Sequence, residues 1–169
     1  MNDLLSFLKN NFFSAIKSLK EVSDGLIDLD IEAISIDALK RYEINNKICG
    51  DNISTPDTIG IFKDKIVFIE FKDANKNFFK DKEKRLSLFL KQVDVLILFY
   101  LLYSKFRRIC FSNKLSFWMV YGKESYRRAL RNHFRIYGID KRYRFIYTTI
   151  LPVSKDNFLK YLNQGLLKL

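Results

Sequence analysis

Glu70 and Lys72 stand two positions apart at the end of the apolar run Ile66-Val67-Phe68-Ile69-Glu70-Phe71-Lys72, and Asp57 follows Pro56 with twelve residues between it and Glu70. Side chains alternate along an extended strand, so Glu70 and Lys72 share one face while Val67, Ile69 and Phe71 take the other. The polar pair Lys63-Asp64 divides the segment Ile53 to Lys72 into two β-branched and aromatic runs, which predicts a hairpin turning there. In such a hairpin the numbers of facing residues sum to 127, and Asp57 faces Glu70. Directly paired residues hold their Cβ atoms about 4.5–5.5 Å apart, and two carboxylates so close repel unless a cation lies between them. With no Cys or His nearby, the hard oxygen donors suit Mg²⁺ or Mn²⁺ rather than Zn²⁺. The backbone carbonyl of Phe71 is a further candidate ligand. Lys72 reaches the same side, where an ammonium can assist water activation or stabilise charge on phosphate.

These residues need a sheet beneath them. Leu4, Leu5, Leu8, Phe12, Ile16 and Leu19 recur at steps of three and four, which predicts an amphipathic helix from Asp3 to Val22. Ile27, Leu29 and Ile31 alternate with acids, whereas Ile36, Leu39 and Tyr42 step helically, giving a helix over about 34 to 46. A long helix is expected from about Asp81 to Ser104, with Leu86, Leu90, Val93, Ile97 and Leu101 as its apolar stripe. A strand at Leu115 to Tyr121, a helix at Glu124 to Tyr137, a strand at Arg142 to Thr149 and a closing helix at Lys155 to Leu162 complete the chain. The interleaving predicts one α/β domain over residues 1–169: a mixed central sheet with helices on both faces and an antiparallel hairpin at one side. Trp118 and Met119 belong in its core.

The pattern Pro56-Asp57, twelve residues, Glu70-Phe71-Lys72 resembles the PD-(D/E)xK nuclease superfamily, over a core from about Ile36 to Thr149. The resemblance implies a restriction-endonuclease-like core whose hairpin carries the active site, and Mg²⁺- or Mn²⁺-dependent hydrolysis of phosphodiester bonds. It implies Asp57 and Glu70 as metal ligands and Lys72 as the residue that positions or activates the attacking water. Many members add an acid from the helix before the hairpin. Glu43, at the edge of the apolar stripe beside Tyr42, is the choice here, with Asp37 and Glu32 competing. Lys91 and Gln92 resemble the Lys or Gln that several branches direct at the site. The histidine that cap-snatching relatives carry upstream of the PD is missing, because the single histidine is His133. Asp94, set among Val93, Val95 and Leu96, calls for a basic partner.

Lys and Arg total 30 against 19 acids in 169 residues, a net charge of +11 and a pI near 9.6, which favours a polyanionic partner. Arg127, Arg131 and Arg135 recur at four-residue steps beside Arg128, forming a basic ridge that continues into Lys141, Arg142 and Arg144 with Tyr143 and Tyr147 interleaved. Lys76, Lys80, Lys82, Lys84 and Arg85 form a second set just after the Glu-x-Lys strand. These residues predict a nucleic-acid partner, DNA ahead of RNA. A folded, catalytically inactive nucleic-acid-binding module is the competing reading from another class, and a homodimer is among the open oligomeric states. Cys49 and Cys110 lack zinc-site spacing and read as free, reduced thiols. No signal peptide or lipid-anchor motif appears, and the longest apolar run, Val95 to Tyr103, is too short to span a bilayer. The expectation is a soluble, cytoplasmic protein with no membrane partner.

Overall fold

The computed structural model describes residues 2–45, 53–72, 81–102, 115–122 and 147–169. They form an α/β fold on a mixed, open, seven-stranded sheet. The strands are β1 (Ile16–Ser18), β2 (Glu32–Ser35), β3 (Thr58–Phe62), β4 (Lys65–Lys72), β5 (Leu115–Tyr121), β6 (Tyr147–Ser154) and β7 (Leu167–Lys168). The order is β1-β2-β3-β4-β5-β6, with β7 paired to β3. Strands β1 to β4 run antiparallel, and β4, β5 and β6 run parallel. A parallel neighbour requires a crossover, and helix α4 (Lys82–Leu102) lies in the chain between β4 and β5.

The hairpin lies in the middle of the sheet rather than at one side. Two strands hidden from the periodicity cover its outer edge. The expected helix from Asp3 to Val22 ends early, as α1 (Asn2–Asn11). Phe12 leaves helical geometry at φ −134° and ψ 61°, while the Asn11 side-chain amide donates to the carbonyl of Phe7 at 2.8 Å. Asparagine competes for backbone hydrogen bonds in this way, which is why it disfavours helix interiors. Ile16 to Ser18 then pair with Ile34 to Glu32 as β1 and β2. The Ser18 hydroxyl accepts the Glu21 N–H and caps the one-turn helix α2 (Leu19–Val22). The apolar steps continue through Leu19 because the chain packs on both faces of the sheet. Leu4, Leu5, Leu8 and Ala15 serve one core, and Leu19 and Ile27 the other.

Helix α3 (Ile36–Asn45) follows β2 directly, and the Ser35 hydroxyl accepts the Ala38 N–H at 3.3 Å. Along β4, Ile66 and Phe68 enter the core shared with α1 and α4, while Val67, Ile69 and Phe71 enter the core shared with helix α5 (Lys155–Asn163). Helices therefore cover both faces. Trp118 and Met119 are buried as expected.

The face of α4 that meets the sheet differs from the expected stripe. Leu88, Gln92, Val95, Leu98 and Phe99 are buried, whereas Leu86, Leu90, Ile97 and Leu101 are exposed. Both sides of α4 are apolar, and its inner side carries Lys91 and Gln92, so periodicity of hydrophobic residues selects the wrong side. The Phe68 and Phe99 rings meet edge to face at 5.1 Å, fixing α4 against β4. Strand β6 runs five residues past the expected end at Thr149, because Tyr147 to Ser154 pair with Leu115 to Tyr121, while the expected start at Arg142 lies outside the described residues. The expected helix over 124 to 137, both cysteines and His133 lie outside the described residues. Among the described residues, no helix is long and apolar enough to cross a membrane.

Gly60 explains how β7 shares the edge of β3 with β2. A Cβ on Gly60 would lie 2.7 Å from the carbonyl oxygen of Lys168 and 3.0 Å from the side chains of Leu167 and Leu169. Gly60→Ala is therefore expected to destabilise the protein by about 1–3 kcal/mol through overpacking. Urea unfolding checks this, and wild-type stability in the variant would contradict it.

Candidate active site

The predicted hairpin register is present. Phe62 faces Lys65, Gly60 faces Val67, and Thr58 faces Ile69, each pair summing to 127. Lys63, at φ 57°, and Asp64 make the two-residue turn. The regular ladder stops one residue short of Asp57. The Asp57 N–H donates at 3.0 Å to the carbonyl of Ile69, the residue that Thr58 already faces. Two consecutive residues thus meet one, as in a β-bulge, a device that re-aims a side chain where a strand ends. Asp57 is held at two further points: its carbonyl accepts the Ile36 N–H at 3.1 Å, and its Oδ2 accepts the Phe71 N–H at 2.6 Å. The start of α3, the end of β4 and the entry to β3 therefore all close on this aspartate.

Glu70 is fully buried, on the face of β4 that meets α4. An isolated buried carboxylate is costly, so partners are required. Lys91 of α4 supplies them, with Nζ 2.9 Å from Oε1 and 2.8 Å from Oε2. Lys72 adds a second ammonium at 3.2 Å from Oε1, as the strand parity predicts. Lys91 Nζ also lies 4.0 Å from Asp57 Oδ1. The nearest oxygens of Asp57 and Glu70 are therefore no farther apart than those two Lys91 contacts laid end to end. Two carboxylates and two lysines converge at the end of the hairpin.

The electrostatics follow from this crowding. Burial and then the charge of Glu70 push the Asp57 carboxyl up to about 8, against weaker opposition from Lys91, the Phe71 N–H and Lys72. Burial alone would lower the Lys91 ammonium, but Glu70 first and Asp57 second outweigh it and raise its pKa. A carboxyl whose folded pKa exceeds its unfolded one stabilises fully at low pH and loses that contribution as pH rises through the folded value. Metal-free wild-type protein is thus expected to lose stability relative to Asp57→Asn between about pH 4 and 8. Thermal unfolding in EDTA across that range checks it, and a pH-independent difference would contradict it.

The donors fit a hard divalent cation. Asp57 and Glu70 offer only oxygen, and the Lys91 ammonium already stands between them as a cation. In an extended strand the N–H and C=O of one residue lie on the same edge. The carbonyl of Phe71 therefore points, like its N–H, to the edge where Asp57 lies. Among the described residues, no group of three His, Cys, Asp or Glu converges to hold a metal through side chains alone. Backbone or water oxygen would have to complete the shell.

A cleft of about 220 Å³ opens beside Asp57, lined among others by Lys17, Ser35, Asp37 and Arg41. Asp37, in the first turn of α3, accepts the Thr55 hydroxyl at 2.6 Å and contributes to the field on Lys91. Glu43 lies on the same helix, but its side chain is outside those described. Glu32 is exposed and pairs with Lys9 at 3.6 Å. Of the three acids considered upstream of Asp57, Asp37 is the one seen beside it.

Lys91 and Gln92 are not helix-surface residues. Lys91 enters the site, while Gln92 is buried, its Nε2 donating to Leu88 at 3.3 Å. The carboxylate of Asp94 finds a backbone partner, accepting the Ser54 N–H at 2.8 Å, where a basic residue was expected. Tyr147 is core rather than a stacking platform, donating its hydroxyl to the carbonyl of Gln92 at 2.6 Å. Lys76, Lys80, Arg127, Arg128, Arg131 and Arg135 lie outside the described residues. Sequence reasoning missed Lys17 and Arg41 in the cleft. The one available signal was Arg41 following Asp37 by one helical turn.

Comparison of the chain with protein-family models, with curated proteins and with solved structures finds no match.

Proposed function

We propose that this chain is a metal-dependent nuclease of the PD-(D/E)xK kind, with a restriction-endonuclease-like core and DNA as its favoured substrate. The observation that carries the reading is the convergence at one hairpin end of Asp57, buried Glu70 and Lys72. In this reading Asp57 and Glu70, with the Phe71 carbonyl, hold Mg²⁺ or Mn²⁺, which when bound supplies Lewis-acid activation of the phosphodiester. Lys72, anchored on Glu70 and about one-third exposed, orients the attacking water or meets the charge that builds on phosphate. The bulge at Asp57 keeps its carboxylate at the end of the strand rather than stacked in the ladder. The cleft beside it has Lys17 and Arg41 in its wall, but Glu21, Asp24 and Asp37 line it too, so it adds no net positive charge for phosphate. The net charge of +11 supports a polyanionic substrate without naming it.

RNA would use every residue named here, so the test presents both polymers. Purified protein is incubated with single- and double-stranded DNA and RNA in Mg²⁺, Mn²⁺ or EDTA. Cleavage of DNA that requires the metal is expected. Preferential cleavage of RNA would reassign the substrate, and cleavage in EDTA would reject the mechanism.

A further inference from the structure

Lys91 takes up both oxygens of Glu70 and sits 4.0 Å from Asp57, the position that the two carboxylates otherwise offer to a cation. Lys72 is already on the same carboxylate at 3.2 Å. A divalent ion added with Lys91 in place would gather three positive centres around one fully buried glutamate. Like charges at such separations in a poorly solvated site repel strongly. Of the two lysines, Lys91 blocks the space between Glu70 and Asp57, and its side chain is one-fifth exposed, so its four-carbon stem has a way out to solvent.

We infer that Lys91 is an internal counter-ion that holds Glu70 and Asp57 together in the metal-free protein and yields its place when a divalent cation binds. The inference rests on the proposed metal-binding role of those carboxylates. It adds a function for the displaced ammonium: released to solvent beside the two carboxylates, Lys91 becomes a phosphate contact available only in the metal-loaded protein. The protein then stays folded without metal, because Glu70 is never left without a partner, and gains its last substrate-binding cation only when it is competent to cleave.

The test follows the ammonium itself. In ¹⁵N-lysine-labelled full-length protein held in EDTA, the Lys91 Nζ–H₃ group is expected to give a resonance protected from solvent exchange, identified by its absence in Lys91→Arg. Saturation with diamagnetic Mg²⁺ is expected to abolish that protection. A protected Lys91 signal persisting at metal saturation would overturn the inference while leaving the metal site intact. Absence of any Mg²⁺ or Mn²⁺ binding in parallel calorimetry would overturn both. A second measurement does not depend on the resonance: Lys91→Met is expected to bind Mn²⁺ about tenfold more tightly than wild type, because no ammonium competes for the site. It is also expected to be less stable than wild type in EDTA and to recover that loss in Mn²⁺. Unchanged or weaker Mn²⁺ binding by Lys91→Met would contradict the displacement.

Discussion

Lys72→Ala is expected to lower the rate of DNA cleavage by about 10²–10⁴-fold, the range for loss of a positioned proton-transfer or charge-stabilising group. Stability should change little. Lys72 is only partly buried, and Glu70 keeps both contacts with Lys91 when Lys72 is gone. The expected cost is within about 1 kcal/mol, as for other partly exposed ion pairs. Single-turnover kinetics beside thermal unfolding separate the two effects. A variant that cleaves at the wild-type rate would remove Lys72 from the chemistry, whatever its geometry suggests.

The second large effect concerns the fold. Glu70→Leu leaves the Lys91 ammonium in a mostly buried position without the carboxylate that compensates it, a change that costs about 3–5 kcal/mol in comparable buried pairs. Pairing it with Lys91→Met replaces the ion pair between β4 and α4 by apolar side chains. Such replacements are often neutral or stabilising by about 1–4 kcal/mol. The double variant should therefore recover most of what the single one loses. Denaturant titrations of the wild type, both single variants and the double variant close the cycle. Additive losses would show that Lys91 and Glu70 do not act as a pair.

The contrast between those two variants explains why the sequence favours the harder solution. A sheet that needed only to be stable would carry Leu or Met at positions 70 and 91. Retaining a buried glutamate, with two lysines to hold it, makes sense if the carboxylate has work to do. The raised pKa of Asp57 points the same way, since groups displaced so far from their ordinary range gather at functional sites.

How much of this was legible in the sequence depends on the range of the interaction. The hairpin from Thr58 to Ile69 was legible, because alternation along β4 and the turn pair Lys63-Asp64 together determine the 127 register, but the expected pairing of Asp57 with Glu70 lies beyond the ladder. Glu70 and Lys72 on one face followed from parity alone. The bulge at Asp57 was not legible, since it depends on where Ile36 and Phe71 place their N–H groups. The early end of α1 left a local trace in Asn10-Asn11, but the continued apolar steps through Leu19 concealed it. Those steps serve two different cores, a fact that one-dimensional periodicity cannot express. Lys91 was visible as a residue worth noting, yet its position depends on which side of α4 meets the sheet. Both sides are apolar, and the inner one is interrupted by the site itself. Asp37 was named only among the alternatives, because its approach to Asp57 follows from the docking of the start of α3 on the hairpin.

The same double variant tests whether the Glu70 carboxylate is needed for metal-dependent cleavage. Wild type and Glu70→Leu/Lys91→Met, matched for folded fraction by thermal unfolding, are assayed for cleavage of a DNA substrate in Mn²⁺. Metal-dependent cleavage is expected from the wild type and none from a variant that is equally folded. Cleavage retained in the folded double variant, or lacking in the wild type with either Mg²⁺ or Mn²⁺, would contradict that expectation.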